Sequence, residues 1–283
     1  MLTGMYGNGT GMKRELIRRG KAKDIYRRSD GCIVFVFTDR VTAFDGVKSG
    51  EYPQKGEICC RLSCFWFERL EKEGIKTHFR GCIPPNELVA EEVSIIPVEV
   101  IARNYLYGSL WRRYKRGEID LSGFLHGDGS EAEPLTSTYV EFTTKFESVD
   151  RPIAEEEIIS RAWMNRDEIE HIKEETLKIG SIMSSYLIQK GLILADYKLE
   201  YGRSREEGRE GEIILADEVG TPDVCRFWIA RHIIAEERWS AWIRMYFVRL
   251  KVSFLRYIVK FTDVFSGIND NNQPSSFNRQ IRS

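Results

Sequence analysis

The sequence predicts an α+β fold. Short β-branched and aromatic runs come first, long helical periodicities interrupt them, and no regular βαβ alternation appears. The first such run, Cys32–Thr38 (CIVFVFT), is bounded by Asp30-Gly31 and Asp39, and its length and composition favour a buried strand over a helix. From Glu57 to Glu73 the pattern turns helical: Ile58, Leu62, Phe65 and Arg69 recur at one-face spacing, and Gly74 supplies a stop. Ser94–Arg103 (SIIPVEVIAR) is strand-like again, with Pro97 pointing to an edge or a bend. A second helix is expected from Arg166 to Lys190, its stripe marked by Ile169, Ile172, Ile179, Met183 and Leu187 and its end by Gly191. Two strand-like runs follow, Leu192–Tyr201 and Glu212–Val219, and the charged, Gly-bounded link Gly202–Gly211 joins them as a long-looped hairpin.

Composition narrows the function classes. With 283 residues and 42% hydrophobic content, the chain can build a sizeable core as one large domain or two modest ones, and it is not a disordered chain. The balance of 42 Lys+Arg against 43 Asp+Glu argues against gripping nucleic acid over a broad basic surface. No stretch reaches the apolar length of a membrane span, and Met1–Met12 lacks the basic start and apolar run of a secretory signal. That segment reads as a loose end, with Met5 and Met12 leaving the start codon open. Cys59, Cys60 and Cys64 fall on one predicted helix without a second pair at metal spacing. The cysteines and the scattered His78, His126, His171 and His232 therefore read as packing or surface residues of a cytoplasmic protein.

The hairpin carries the clearest chemistry. Strand alternation puts Asp196, Lys198 and Glu200 on one face and Tyr197, Leu199 and Tyr201 on the other, and a paired second strand brings Asp217 near the first group. Carboxylates around one lysine suit Mg²⁺, which takes one or two carboxylates plus phosphate oxygens and water. The same alternation also fits a solvated face laced with ion pairs. Upstream, Gly20-Lys21-Ala22-Lys23 combines a permissive backbone with two cations, as a phosphate loop would, though most such tetrapeptides are surface turns. Arg103, Ser109 and Arg226 are candidates to clamp a phosphate, against the alternative of exposed loop arginines. Glu99 lies within an apolar strand, where an inward carboxylate needs a partner: a ribose hydroxyl or a structural arginine.

Taken in order, GKAKDIY (20–26), TAFDG (42–46), KG (55–56), IPVEVIARN (96–104), GSL (108–110), DYKLEYG (196–202), ADE (216–218) and TPDVCRFW (221–228) resemble the phosphoribosylaminoimidazole-succinocarboxamide synthase, or SAICAR synthetase, family. The resemblance runs from about Arg19 to Trp228, and eight motifs in order make it specific. It implies a two-lobed fold with an ATP cleft between the lobes, distantly similar to kinases and ATP-grasp enzymes. The implied lobes are 13–94 and 95–228, preceded by a flexible extension, 1–12.

The implied activity is an ATP-dependent ligase of purine biosynthesis. It joins L-aspartate to carboxyaminoimidazole ribonucleotide and releases ADP and phosphate, by way of an acyl phosphate. The resemblance assigns the ATP phosphates to the loop Gly20, Lys21, Ala22 and Lys23, and to Lys198 and Lys145. It assigns the ribose to Glu99, Mg²⁺ to Glu200 and Asp217, and the 5′-phosphate of the ribonucleotide to Arg103, Ser109 and Arg226. Asp45 and Asp196 look like substrate-side catalytic residues beside Lys198. Glu147 and Asp150 are candidates for aspartate, although the acids after Lys145 are spaced differently from the family pattern. The resemblance stops at Trp228: residues 229–283 hold nine Lys and Arg against four Asp and Glu, interleaved with aromatics, and their last part reads as disordered. This atypical tail motivates an alternative, a nucleotide-binding protein of the same fold whose ligase activity is impaired. A homo-oligomer is compatible with either reading.

Overall fold

The computed structural model describes residues 12–43, 48–147 and 149–230. Residues 1–11, Asp45 and the tail from 231 lie outside the described residues, so the expectations placed on them are not addressed by the fold. The described part is α+β and is built on two antiparallel sheets.

In the first sheet, β1 (Arg14–Arg19) and β2 (Lys23–Arg28) form a hairpin around Gly20–Ala22, and β3 (Ile33–Phe37) follows. The order is completed by β7 (Glu87–Ala90) and β6 (Phe79–Ile83), giving β1-β2-β3-β7-β6. Between β3 and β6 the chain makes a small separate ladder, β4 (Arg40–Ala43) with β5 (Lys48–Glu51), and then α1 (Lys55–Lys72). Helix α1 packs on β3, β6 and β7 through Leu62, Phe67 and Leu70, all buried. It starts two residues before the expected Glu57. The reason is Asp39, whose carboxylate accepts the backbone N–H groups of Gln54 (3.2 Å) and Gly56 (2.9 Å), donors that the helix itself leaves unpaired.

One detail corrects the reading of the cysteines, and another agrees with the reading of His78 as a packing residue. Cys64 on α1 and Cys82 on β6 are joined by a disulfide, so they are not merely packing residues. His78 is a core residue set against Phe35 and Phe67, and burial lowers its pKa to about 4, so it is neutral.

The second sheet begins with β8 (Val93–Leu106), followed by the short helix α2 (Ser109–Lys115), β9 (Glu133–Thr144) and β10 (Pro152–Ile153). Helices α3 (Glu155–Ser160) and α4 (Arg166–Gln189) come next, then β11 (Leu192–Ser204), β12 (Ile213–Ala216) and β13 (Cys225–Ile229). The strand order is β10-β9-β8-β11-β12, with β13 pairing β11 on the same side as β12. Pro97 therefore lies in a central strand, not at an edge. It is tolerated because the β8–β11 ladder is irregular opposite it, between Glu200 and Gly202.

Helix α4 opens with a capping box in which Asn165 Oδ1 accepts the Glu168 N–H (2.9 Å) and Glu168 Oε2 accepts the Asn165 N–H (2.8 Å). Its predicted stripe is buried and covers the Tyr197–Leu199–Tyr201 face of β11. The Tyr197 hydroxyl donates to the Thr176 carbonyl at 2.9 Å, and Tyr201 shares a hydrogen bond with the Thr176 hydroxyl at 3.0 Å. The expected second hairpin strand, Glu212–Val219, is shorter: β12 stops at Ala216 because Asp217 turns to φ +64°, a left-handed conformation that ends pairing. The two sheets are stitched together where Leu215 of β12 exchanges backbone hydrogen bonds with Lys76 (2.9 Å) and His78 (3.0 Å). No described helix is long and apolar enough to cross a membrane.

The contact between α4 and β11 yields a test of packing. A Cβ built at Gly180 would stand 1.9 Å from the Tyr197 hydroxyl oxygen, which is itself fixed by its bond to Thr176. Gly180→Ala should therefore destabilise the fold by about 1–3 kcal/mol, despite the better helix propensity of alanine, as measured by urea denaturation.

Candidate active site

One face of β11 organises the polar interior. Because alternate residues share a face, Asp196, Lys198 and Glu200 line it as the alternation predicts, and the neighbouring strands decide what each one meets.

Asp196 is flanked by Arg103 of β8 and Arg226 of β13. Its Oδ2 lies 2.9 Å from Arg226 Nη1 and 3.7 Å from Arg103 Nη1. Arg103 Nη2 donates to Ser109 Oγ (2.9 Å), and Arg103 Nε donates to Glu141 Oε1 (2.7 Å). Glu141 also accepts from Arg113 (2.5 Å). The Arg226 guanidinium stacks on the Tyr107 ring at 4.7 Å and passes over Gly108, where a Cβ would come within 3.0 Å of it. Gly108 also needs its φ of +64°, so that position admits little else. The Nη1 atom of Arg226 is buried and faces Asp196 as an ion pair without an aligned hydrogen bond. Burial raises the pKa of Asp196 against the opposing pull of Arg226 and Arg103. The structure thus moves Asp196 out of the expected group around Lys198 and into the arginine cluster.

At the other end, Glu200 is flanked by Glu99 of β8 and by Ala216, the residue before Asp217. Each carboxylate here has a lysine. Lys145, just beyond β9, is 2.6 Å from Glu200, and Lys198 is 2.6 Å from Glu99, which also accepts from the Thr143 hydroxyl (3.3 Å). Lys23 reaches across from the first sheet to Asp217 (2.8 Å) and to Glu218 (2.7 Å). Burial opposes the charges on Lys23 and Lys198, but the facing carboxylates outweigh it and hold both pKa values above the ordinary lysine range. Asp217 keeps its charge despite burial because Lys23 and Lys145 pull its pKa down to about 2. For Glu200 the balance runs the other way: burial and the nearby Asp217 charge raise its pKa to about 7, over the opposing effect of Lys145.

The loop ahead of Lys23 is a tight turn in which the Gly20 N–H bonds to the Lys23 carbonyl (2.9 Å) and a Cβ on Gly20 would collide with that oxygen at 2.6 Å. Thr38 fixes the Ala22 carbonyl through both its N–H (2.9 Å) and its hydroxyl (2.8 Å). Lys21 is exposed on this turn. Of the aspartate candidates, Glu147 is paired with Arg151 (3.2 Å) and Arg161 (3.4 Å), and Asp150 is exposed. Sequence reasoning did not single out Glu218, Glu141 or Arg113. The first adjoins Asp217 inside a motif already quoted, so adjacency was the available signal. Glu141 and Arg113 gave none.

Among the described residues, no group of three or more His, Cys, Asp or Glu side chains is set for a metal ion. Two carboxylates, Glu200 and Asp217, share one buried neighbourhood, close enough that the charge of Asp217 opposes ionisation of Glu200. That donor set suits Mg²⁺, which completes its octahedron with phosphate oxygens and water.

Comparison with known proteins gives one consistent result. Residues 16–240 match the SAICAR synthetase family. The phosphoribosylaminoimidazole-succinocarboxamide synthase of Coprothermobacter proteolyticus is 37% identical over 218 residues, which is 76% of this chain and 85% of the relative. That of Methanococcoides burtonii is 38% identical over 219 residues, 77% and 84% of the two chains. In structure, the fold superposes on the crystal structure of the Ehrlichia chaffeensis synthase with a TM-score of 0.76 at 28% identity, covering 90% of this chain and all of that one. It also matches a type-2 SAICAR synthetase in complex with ADP, with a TM-score of 0.67 at 37% identity over 77% of this chain and 85% of the other.

The raised pKa of Glu200 makes stability depend on pH in a defined sense. Between its ordinary value of 4.5 and about 7, the unfolded chain releases a proton that the folded chain retains, so the carboxyl destabilises the fold progressively as pH rises through that window. Glu200→Gln removes this cost. Its stability relative to the parent should increase by roughly 2–3 kcal/mol from pH 4 to pH 8 in denaturant titrations, and a pH-independent difference would contradict the assignment.

Proposed function

The chain belongs to the SAICAR synthetase family, and from that premise we propose that the array on β11 uses ATP to join L-aspartate to carboxyaminoimidazole ribonucleotide. The chain is thus an ATP-dependent ligase of purine biosynthesis, and the same reading puts it in the cytoplasm. The observation that carries the site reading is the set of lysines, Lys23, Lys145 and Lys198, each held on a buried carboxylate at the junction of the two sheets.

A triphosphate entering this junction meets three ammonium groups already aimed inward, with the Gly20–Lys23 turn covering it from the first sheet. Glu99 would accept from the ribose hydroxyls. Glu200 and Asp217 would hold Mg²⁺, which supplies, when bound, Lewis-acid charge to the phosphoryl oxygens. Lys23 and Lys145, held on Asp217 and Glu200, stand beside the same acids and would neutralise the charge of the phosphate oxygens. At the other end of β11, Arg103, Ser109 and Arg226 would take the 5′-phosphate of the ribonucleotide, whose doubly charged oxygens match forked guanidinium donors.

A carboxylate is a poor acyl donor, and the reading assigns ATP the task of activating it. An oxygen of the imidazole carboxylate attacks the γ-phosphorus, the bond to the β–γ bridging oxygen breaks, and ADP leaves. The aspartate amine then attacks the acyl carbon, the carbon–oxygen bond to phosphate breaks, and the amine proton passes to solvent or to the departing phosphate. Positioning and charge neutralisation supply most of the rate, since little covalent chemistry falls to the protein. Lys198, beside Glu99 and near Glu200, is placed to hold the transferring phosphoryl group. Asp196 would orient the arginines, and Asp45 belongs to the substrate side by resemblance alone. Nothing in the comparisons favours the impaired-activity alternative, and Arg226, the residue most exposed to damage from an altered tail, sits in register with Asp196.

The test is ADP release by the full chain with ATP, L-aspartate, the carboxylated ribonucleotide and Mg²⁺, leaving out one component at a time. Release is expected only with all four. Asp217→Asn should lower kcat/KM for ATP by about a hundredfold while leaving the folded circular-dichroism spectrum unchanged. A folded parent that releases no ADP with all four components present would refute the activity.

A further inference from the structure

Helix α1 presents Lys55, Cys59, Ser63 and Trp66 at spacing i, i+4, i+8 and i+11, which places them on one helix face. This stripe holds the connection 217–224 between β12 and β13, the segment that carries Asp217 and Glu218. Lys55 Nζ is 2.5 Å from Asp223 Oδ2, and Cys59 Sγ is 4.0 Å from the same oxygen. Ser63 Oγ accepts the Val219 N–H at 3.2 Å. Trp66 lies against Gly220, whose φ of +70° and missing Cβ let the ring approach (a Cβ would be 1.9 Å from it).

Lys55 is 1% exposed, an ammonium taken almost wholly out of water. A buried ion pair gains little net stability over a well-packed apolar pair, so stability alone is a weak account of this residue. Its partner has a more specific consequence. The Asp223 N–H donates to Thr221 Oγ1 (3.3 Å), the Thr221 hydroxyl donates to Glu218, and Glu218 holds Lys23 (2.7 Å), which also holds Asp217. Polar contacts therefore run unbroken from the first turn of α1 to the acids of the site.

We propose that Lys55 is a positioning residue of the ligase: by fixing Asp223 it sets the 217–224 connection, and so aims Asp217 and Glu218 at Lys23 and the nucleotide. The proposal rests on the nucleotide reading given above. It differs from a purely structural role because it predicts a loss confined to one substrate.

The experiment compares Lys55→Met, Lys55→Arg and Asp223→Asn with the parent, all as full chains. Calorimetry measures affinity for ADP with Mg²⁺ and, separately, for the carboxylated ribonucleotide. Hydrogen exchange follows the amides of 217–224 against those of β8 and β11. Lys55→Met is expected to weaken Mg²⁺–ADP binding by about tenfold or more while ribonucleotide binding stays within about twofold, as for residues that orient metal ligands at one remove. Lys55→Arg should recover most of the loss, and exchange should quicken in 217–224 alone. Equal losses for both ligands, or no loss for either, overturn the proposal. Should Lys55→Met fail to fold, Asp223→Asn carries the same expectation and the same refutation. A parent that binds no Mg²⁺–ADP would defeat the proposed function instead. Exchange then decides the positioning role, and unchanged protection of 217–224 in the variants overturns it.

Discussion

Buried charge at the junction of the two sheets constrains everything else in this molecule. Lys23, Lys55, Lys145 and Lys198 meet Glu99, Glu200, Asp217, Glu218 and Asp223, so the carboxylates outnumber the ammonium groups by one. Taking such groups out of water is tolerable only when each has an opposite partner at hydrogen-bond distance. The surplus negative charge falls on Glu200, whose proton is held to about pH 7. On the proposed reading, a divalent cation bound by Glu200 and Asp217 would offset that excess of acid.

The geometry of β11 then separates two tasks. Residues of one strand face repeat at about 6.6–6.8 Å, so Asp196 and Glu200 stand roughly 13 Å apart along the strand. Arginines gather at the first and lysine-bound acids at the second, because β8 offers Arg103 opposite Asp196 and Glu99 opposite Glu200. On the proposed reading the strand works as a ruler: the ribonucleotide phosphate is anchored at one end, and the carboxylate to be activated is delivered toward the other. The opposite face of the same strand, Tyr197, Leu199 and Tyr201, is locked to α4, which keeps the ruler straight.

The parts of this arrangement legible in the sequence were those encoded by periodicity. The stripe of α4 and the alternation of β11 follow from spacing, because one face of each had to be apolar. The β1–β2 hairpin was not legible, since RELIRR is exposed throughout and its partner is only half-buried, so neither alternates in hydrophobicity. The run IILADEV reads as one strand because it is apolar up to Ala216. The break at Asp217 lies in a left-handed backbone angle, which aspartate adopts more readily than most residues, but the apolar run before it masks that signal. Lysines gave the least warning: a lysine at the start of a helix normally points to water, and only the fold reveals that Lys55 is enclosed. The motif order made Lys23, Glu99, Lys198, Glu200 and Asp217 candidates, whereas the pairing of Asp196 with Arg103 and Arg226 required knowing which strands lie beside β11.

The break at Asp217 also explains why one edge of β11 is shared by two short strands. Had β12 continued in register past Ala216, its backbone would have covered the positions opposite Lys198 and Leu199. The chain instead leaves the edge at Asp217 and rejoins it at Cys225, with the Lys198 N–H satisfied by the Val224 carbonyl at 2.8 Å. Eight residues are thereby lifted out of the sheet without orphaning the strand they leave, and two of their acids face Lys23 of the other sheet. A loop so placed has little sheet pairing of its own to define it, so its conformation must come from what it rests on. The face of α1 that carries Lys55, Ser63 and Trp66 is the support the fold provides, which ties the packing of the first sheet directly to the aim of the acids.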